Sequence, residues 1–256
     1  MKVCVTGGAG FIGSHLIDRL LDEGCMVASH EDRDSLPKVH KYDQIVHLGA
    51  IADVRRSVDH PDEYYDVNAE YTRDLQRRCN EESVPLIYAS SSTAANWHMH
   101  PYGASKKMNE LTAYPDQIGL RFTTVYGHGA RASMFVTRLL TGKLDYVTEH
   151  YRDFVHVDDV VEAIMRCIWQ YEELEGVYDI CTGYARTPRE LAEMCGLDLP
   201  VKPGGDMEAE SNVNEYERFH AITGWDPKID IEDWLKENYI ESTDNRFARH
   251  WKNLPS

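Results

Sequence analysis

The sequence predicts an α/β fold: a doubly wound, mostly parallel sheet followed by a smaller α/β lobe. Short apolar runs alternate with amphipathic segments through the first half of the chain, the pattern of right-handed βαβ units. The first strand-to-helix joint is rich in glycine, Thr6-Gly7-Gly8-Ala9-Gly10-Phe11-Ile12-Gly13. At 256 residues the chain can bury one large core or two unequal lobes.

Residues 3–6 read as a buried strand and 13–23 as a helix with Leu16, Ile17, Leu20 and Leu21 on one face. Strands at 25–29 and 44–48 follow, then a helix at 64–80 and a strand at 86–90 running into a serine cluster. The helix at 102–113 must stop near Pro115, and 119–125 is a further strand. Beyond it the pattern predicts helices at 134–140 and 157–171, an extended piece at 146–147 and a strand at 176–180. A helix at 188–195 is opened by Thr187 as N-cap and Pro188 in its first turn. The stretch 200–206 is loop, 231–239 the last helix and 242–256 a polar tail. We place a first domain at 1–125 and a smaller lobe at 126–256, with part of the latter, 150–182, returning to the first.

A formal net charge of −16 argues against a surface that tracks nucleic-acid phosphates or an anionic membrane. It leaves room for a small phosphorylated ligand, which needs only a few local cations and helix amides. The longest apolar runs are too short to span a bilayer. The strand pattern begins at once, leaving no room for a signal peptide. Cys4, Cys25, Cys79, Cys167, Cys181 and Cys195 show no CxxC spacing and mostly lie in apolar segments, so buried thiols are expected, with no metal site and a cytoplasmic location.

Four groups of residues carry chemistry. In the Gly7–Gly13 turn, glycines permit a tight bend, close backbone approach to a pyrophosphate and close helix–strand packing, the fingerprint of a Rossmann dinucleotide site. At the end of the second strand, Glu31 and Asp32 are within reach of an adenosine ribose, which favours NAD, whereas Arg33 could accept the 2′-phosphate of NADP. Tyr102-Gly-Ala-Ser-Lys106 puts a phenol and an ammonium on one helix face, and a nearby cation favours the phenolate. Ser90-Ser91-Ser92-Thr93 follows a strand, where an α/β site gathers its polar groups, so a hydroxyl there can hold a substrate alcohol against Tyr102.

With these residues in place the chain resembles the extended short-chain dehydrogenase/reductase family, in particular its UDP-sugar 4-epimerase branch, from Met1 to about Tyr239. Further segments carry the resemblance: Ile45-Val-His-Leu-Gly-Ala50, with Ser57, Pro61 and Tyr64-Tyr-Asp-Val-Asn68; Leu120-Arg-Phe-Thr-Thr-Val-Tyr-Gly127; Arg152-Asp-Phe-Val-His-Val-Asp-Asp159; Tyr178-Asp-Ile-Cys-Thr-Gly183; and Gly224-Trp-Asp-Pro227. The resemblance implies a catalytic trio of Ser91, Tyr102 and Lys106, with Ser92 or Thr93 as alternatives to Ser91. It implies a cofactor held by Gly7, Gly10, Phe11, Ile12, Gly13, Leu48, Gly49, Ala50, Asn68 and Ser90 together with Tyr102 and Lys106. For a nucleotide-diphosphate sugar it points to Ser92, Thr93, Thr124 and Arg152, with Arg131 and Lys202 as weaker candidates. Asp158 reads as a helix cap and His156 as a satisfied core histidine.

The chain also departs from the family. Between Glu31 and Asp43 there is no room for the usual third strand and its helix, so that strand should be reduced or missing and the adenine pocket more open. Ala94-Ala95-Asn96 replaces the family's Val-Tyr-Gly, and the helix from Tyr102 to Pro115 is short, which bears on the homodimer that relatives build from a helix bundle. Ser92 and Thr93 stand where dehydratases carry Asp-Glu, which disfavours dehydration; the resemblance therefore implies 4-epimerisation, with a 4-ketosugar reductase or a non-catalytic dinucleotide sensor as alternatives.

Overall fold

The computed structural model describes residues 1–205, 207–211 and 216–239; the expected tail at 242–256 and Asp206 lie outside them. Six strands form an all-parallel main sheet: β1 (Lys2–Thr6), β2 (Met26–His30), β3 (Gln44–His47), β4 (Leu86–Ser91), β5 (Ile118–Phe122) and β8 (Gly176–Ile180), in the order β2-β1-β3-β4-β5-β8. Side chains alternate along each strand, so the sheet buries two apolar faces. Val3, Val5, Val46 and Ile87 pack with Leu16 and Leu20 of α1 (Phe11–Asp22) and Val160 and Ile164 of α7 (Val157–Trp169). Cys4, Ile45 and Leu86 face the other way, onto Leu75 and Cys79 of α4 (Tyr71–Glu82), beside which lies α5 (Pro101–Thr112).

This is the doubly wound Rossmann arrangement that the sequence predicts, and the third strand is missing. Residues 31–43 hold only a 3₁₀ turn, Val39–Lys41, and β2 is the sheet edge. Strand order reverses between β1 and β3, and the crevice beyond their C-terminal ends is where such sheets bind ligands.

A second, three-stranded sheet joins β6 (Thr124–Tyr126) to β7 (Arg152–His156) in parallel and β7 to β9 (Ala185–Arg186) antiparallel. Its core gathers Tyr126, Phe154, Leu139 of α6 (Phe135–Leu140), Leu191 of α8 (Pro188–Met194), and Trp234 and Leu235 of α10 (Ile231–Asn238). Thr187 and Glu190 close the expected N-cap of α8 as a reciprocal capping box.

Several expected elements differ. The run 119–125 is two strands in two sheets. At Thr123 the hydroxyl bonds Asp153 Oδ1 and the Ile180 carbonyl, both at 3.3 Å, and the buried Asp153 carboxylate also takes the Thr182 and Gly183 amides at 2.8 Å. These bonds pin the chain where it leaves the main sheet. The helix expected at 64–80 begins earlier, at α3 (Pro61–Tyr64), passes through a π turn at Tyr65–Glu70 and continues as α4. Of the extended piece at 146–147 only Val147 pairs, with Val201. Two short helices, α2 (Val54–Asp59) and α9 (Glu217–Thr223), carried too little periodic signal to be expected.

Candidate active site

The glycine turn is built for a bound group. A Cβ on Gly7 would stand 2.7 Å from Gly49 Cα, and one on Gly13 2.2 Å from the Gly7 carbonyl oxygen. Gly7 also has φ +68°, a conformation that favours glycine. Gly10, the N-cap of α1, offers no side-chain cap, and no acidic residue occupies the first turn. The helix amides are thereby left facing the crevice, the arrangement that suits a pyrophosphate. Phe11 and Ile12 pack their side chains against the core, so only their backbone serves that end.

Next to the turn is a cavity of ≈ 210 Å³ lined by Thr6, Gly7, Gly10, His30, Glu31, Asp32, Arg33, His47, Leu48, Gly49, Ala50, Val67 and Tyr71. The structure thus brings Glu31, Asp32 and Arg33 together with Leu48–Ala50 around one crevice. Glu31 Oε1 accepts the Ala9 amide at 2.9 Å, which places its carboxylate at the glycine turn. Asp32 is occupied with its own turn, accepting from Asp34 N at 2.9 Å and Ser35 Oγ at 2.5 Å. Arg33 is exposed.

The sequence reading missed Thr6, His30, His47, Val67 and Tyr71 in this wall. His47 bridges Thr6 Oγ1 (2.6 Å) and Thr72 Oγ1 (2.8 Å), its ring stacks on Tyr71, and burial followed by the nearby Lys106 charge pushes its pKa down to about 3. Both His47 and Tyr71 lie beside residues the sequence did single out, Leu48 and Asn68. Asn68 itself is not in the wall: its side chain clasps Ile51 N and O (2.8 and 2.9 Å) and reaches Ser105 Oγ (3.3 Å), fixing the loop after β3 to α5.

The Tyr102–Lys106 pair sits on α5, whose first turn is capped by His100 Nδ1 accepting from Gly103 N at 2.9 Å; the His100 ring stacks on Tyr102. Ser91, at the end of β4, acts on the Tyr102 phenol to lower its pKa, and the Ser91 hydroxyl accepts from Thr93 N and Oγ1 at 3.2 and 3.0 Å. Ser92 is buried beside them. Ser90 turns away, donating to Glu110 Oε1 at 2.7 Å, where Arg121 pairs bidentately with the same carboxylate. Its hydroxyl is not in the cofactor crevice, because consecutive strand residues face opposite sides.

Burial raises the Tyr102 pKa, and Ser91 and the Arg131 charge oppose it. Lys106 is itself buried, donates to the Ala89 carbonyl at 2.9 Å, and has its pKa pushed down to about 8 by desolvation.

The remaining candidates lie in the chain beyond β5. Arg131 is exposed and donates to Ala52 O at 2.8 Å. Arg152 is half-buried, bonds Ala209 O at 2.9 Å and lies 3.5 Å from Glu208. The Lys202 ammonium lies 4.3 Å from the centre of the Tyr146 ring, and Thr124 is half-buried on β6. His156 is only half satisfied: Nδ1 accepts from Asp158 N at 3.2 Å and so caps α7, while Nε2 has no partner among the described residues. The cap is thus His156 and not Asp158. The neighbouring Asp159 has a structural task, accepting Lys228 N and Ile229 N at 3.0 Å each.

A dinucleotide crevice at the switch point of a parallel sheet, with Ser91 and Tyr102 brought together beside a buried lysine, defines a nicotinamide-dependent enzyme site. The model of the NAD dependent epimerase/dehydratase family matches residues 3–181, and the chain belongs to this family. It is 34% identical to Protein CapI of Staphylococcus aureus, over 66% of this chain and 69% of that one. Among solved structures, MoeE5 in complex with UDP-glucose and NAD is 26% identical, with a TM-score of 0.83 over 99% of this chain and 100% of that one. The UDP-glucose 4-epimerase of Thermus thermophilus, complexed with NAD, is 27% identical, with a TM-score of 0.75 over 93% and 98%. The family is described as NAD dependent. No helix of the described residues is long and apolar enough to cross a membrane.

Proposed function

We propose that this protein epimerises a UDP-sugar at C4 through a transient 4-keto sugar, with Tyr102 as acid and base. The observation that carries this reading is the interaction of Ser91, at the end of β4, with the Tyr102 phenol, one helical turn from the buried Lys106. Bound NAD, held at the glycine turn, would supply the acceptor and donor of a hydride at the carbon being inverted. The residues of the chain handle the proton. Tyr102 Oη accepts it from the sugar hydroxyl and later gives it back, while Ser91 holds that hydroxyl against the phenol. Ser91 is preferred over Ser92 and Thr93 because it is the hydroxyl that acts on the phenol.

Glu31 at the glycine turn supports ribose recognition. Lys106, tethered to β4 two residues before Ser91, supports a role in holding the cofactor next to the phenol. Arg152, Arg131, Lys202 and Thr124 are the groups proposed for the nucleotide diphosphate and sugar, with the second sheet forming the substrate lobe from about Val125. Cys4, Cys79, Cys167, Cys181 and Cys195 are buried cysteines outside any disulfide among the described residues, in keeping with a cytoplasmic setting.

The test is to incubate the NAD-loaded protein with UDP-glucose, UDP-galactose and their uronic and N-acetyl forms, without reductant, and follow C4 epimers by NMR. Interconversion of one pair is expected, and Tyr102→Phe should slow it by about 10²–10⁴-fold. Turnover only of a ketosugar, with consumption of reduced cofactor, would instead make the enzyme a reductase.

A further inference from the structure

Glu208 stands where the proposed diphosphate ligand should meet its cations. Its Oε1 is 3.6 Å from Arg55 Nη2, and its Oε2 is 3.5 Å from Arg152 Nη2 and 3.6 Å from His150 Nδ1. These partners come from both lobes: Arg55 is on α2, after β3 of the main sheet, and Arg152 opens β7 of the second sheet. The backbone around Glu208 is tied down, since Ala209 O accepts from Arg152 Nη1 and Glu210 O from Tyr151 N, both at 2.9 Å. Only the side chain reaches across.

Positive groups gather around this carboxylate. Tyr146 links Arg55, whose Nη2 lies 3.5 Å from the phenol oxygen, to Lys202, whose ammonium lies over the ring. Among the described residues Glu208 is the carboxylate within 4 Å of Arg55 and Arg152, and the Arg152 side chain, 18% exposed, has lost most of its water. A guanidinium in that position needs an anion. All three contacts of Glu208 are longer than a hydrogen bond, so it neutralises the cluster by charge without the directional bonds of a bidentate pair. It is an anion that a better one can replace.

We propose that Glu208 is the internal counter-ion of this cluster and that a nucleotide diphosphate binds by displacing it. Glu208 thereby sets how much negative charge a ligand must bring, favouring a pyrophosphate over a singly charged anion. This inference rests on the UDP-sugar reading above.

The experiment is calorimetric titration of the NAD-loaded full chain with UDP, comparing wild type, Glu208→Gln, Glu208→Ala and Glu210→Gln. Glu210 is exposed on the same segment, so its variant makes the same charge change away from the cluster. The expected result is UDP binding about tenfold tighter in both Glu208 variants and within twofold of wild type in Glu210→Gln, corresponding to about 1.4 kcal/mol. Equal or weaker binding in the Glu208 variants would overturn the inference while leaving the UDP-sugar reading in place. If every form binds NAD and none binds UDP, the UDP-sugar reading itself fails and takes the inference with it.

Discussion

Lys106 carries the sharpest residue-level consequence of burial. Its ammonium has little access to water and a single backbone acceptor, so its pKa falls from the usual lysine value to about 8. Between pH 8 and about 10.5 the unfolded chain keeps a proton that the folded protein has released, so stability from this group rises with pH across that window. In the cofactor-free protein, urea unfolding at pH 7.5 and 10 should show wild type gaining up to about 3 kcal/mol relative to Lys106→Met. An unchanged difference would mean the ammonium is solvated. Gly13→Ala tests the turn: its Cβ would collide with the Gly7 carbonyl, so NAD binding should weaken at least about tenfold, measured by fluorescence titration. The glycines and the Tyr102–Lys106 pair were legible in the sequence because their chemistry depends on short spacings. His47 and Glu208 were not, because their partners at Thr6 and Arg152 lie far along the chain and only the fold makes them neighbours.

At the scale of an element, α5 matters most, since it aims both Tyr102 and Lys106. Its N-cap is an imidazole, and its first turn is opened by Pro101. His100→Ala should cost about 1 kcal/mol of stability, and His100→Asn, which can also cap, should recover most of it; thermal unfolding measures both. The N-cap of α8 was legible because Thr187, Pro188 and Glu190 form a local signature. The break between β5 and β6 was not, because 119–125 is continuously strand-like in composition. What divides it is the buried Asp153 carboxylate, which collects Thr123, Thr182 and Gly183 from two other places in the chain. A strand boundary made by a tertiary hydrogen-bond hub leaves no periodic trace.

Across the whole molecule, the alternation of strands and helices and the shortness of 31–43 were enough to predict a parallel sheet without its third strand. The second sheet was harder, since its strands are short and one is only Ala185–Arg186. Packing the two sheets buries histidines that resist protonation. Burial holds His47 at about 3 and, opposed by Asp158, His156 at about 4, and it also lowers His100. A depressed histidine contributes stability above its unfolded pKa near 6.5 and loses it as pH falls towards the folded value. Stability should therefore drop between pH 6.5 and 4. His156→Asn keeps a capping side chain and should remove about 1–2 kcal/mol of the loss at pH 5, read from urea midpoints. The central claim, that Tyr102 and the cofactor crevice together oxidise and re-reduce one sugar carbon, is tested most directly by isotope retention. A UDP-sugar substrate carrying deuterium at C4 should give, in ordinary water, the C4 epimer with that deuterium still in place. Loss of the label to solvent, or release of an epimer only when reduced cofactor is supplied, would contradict it.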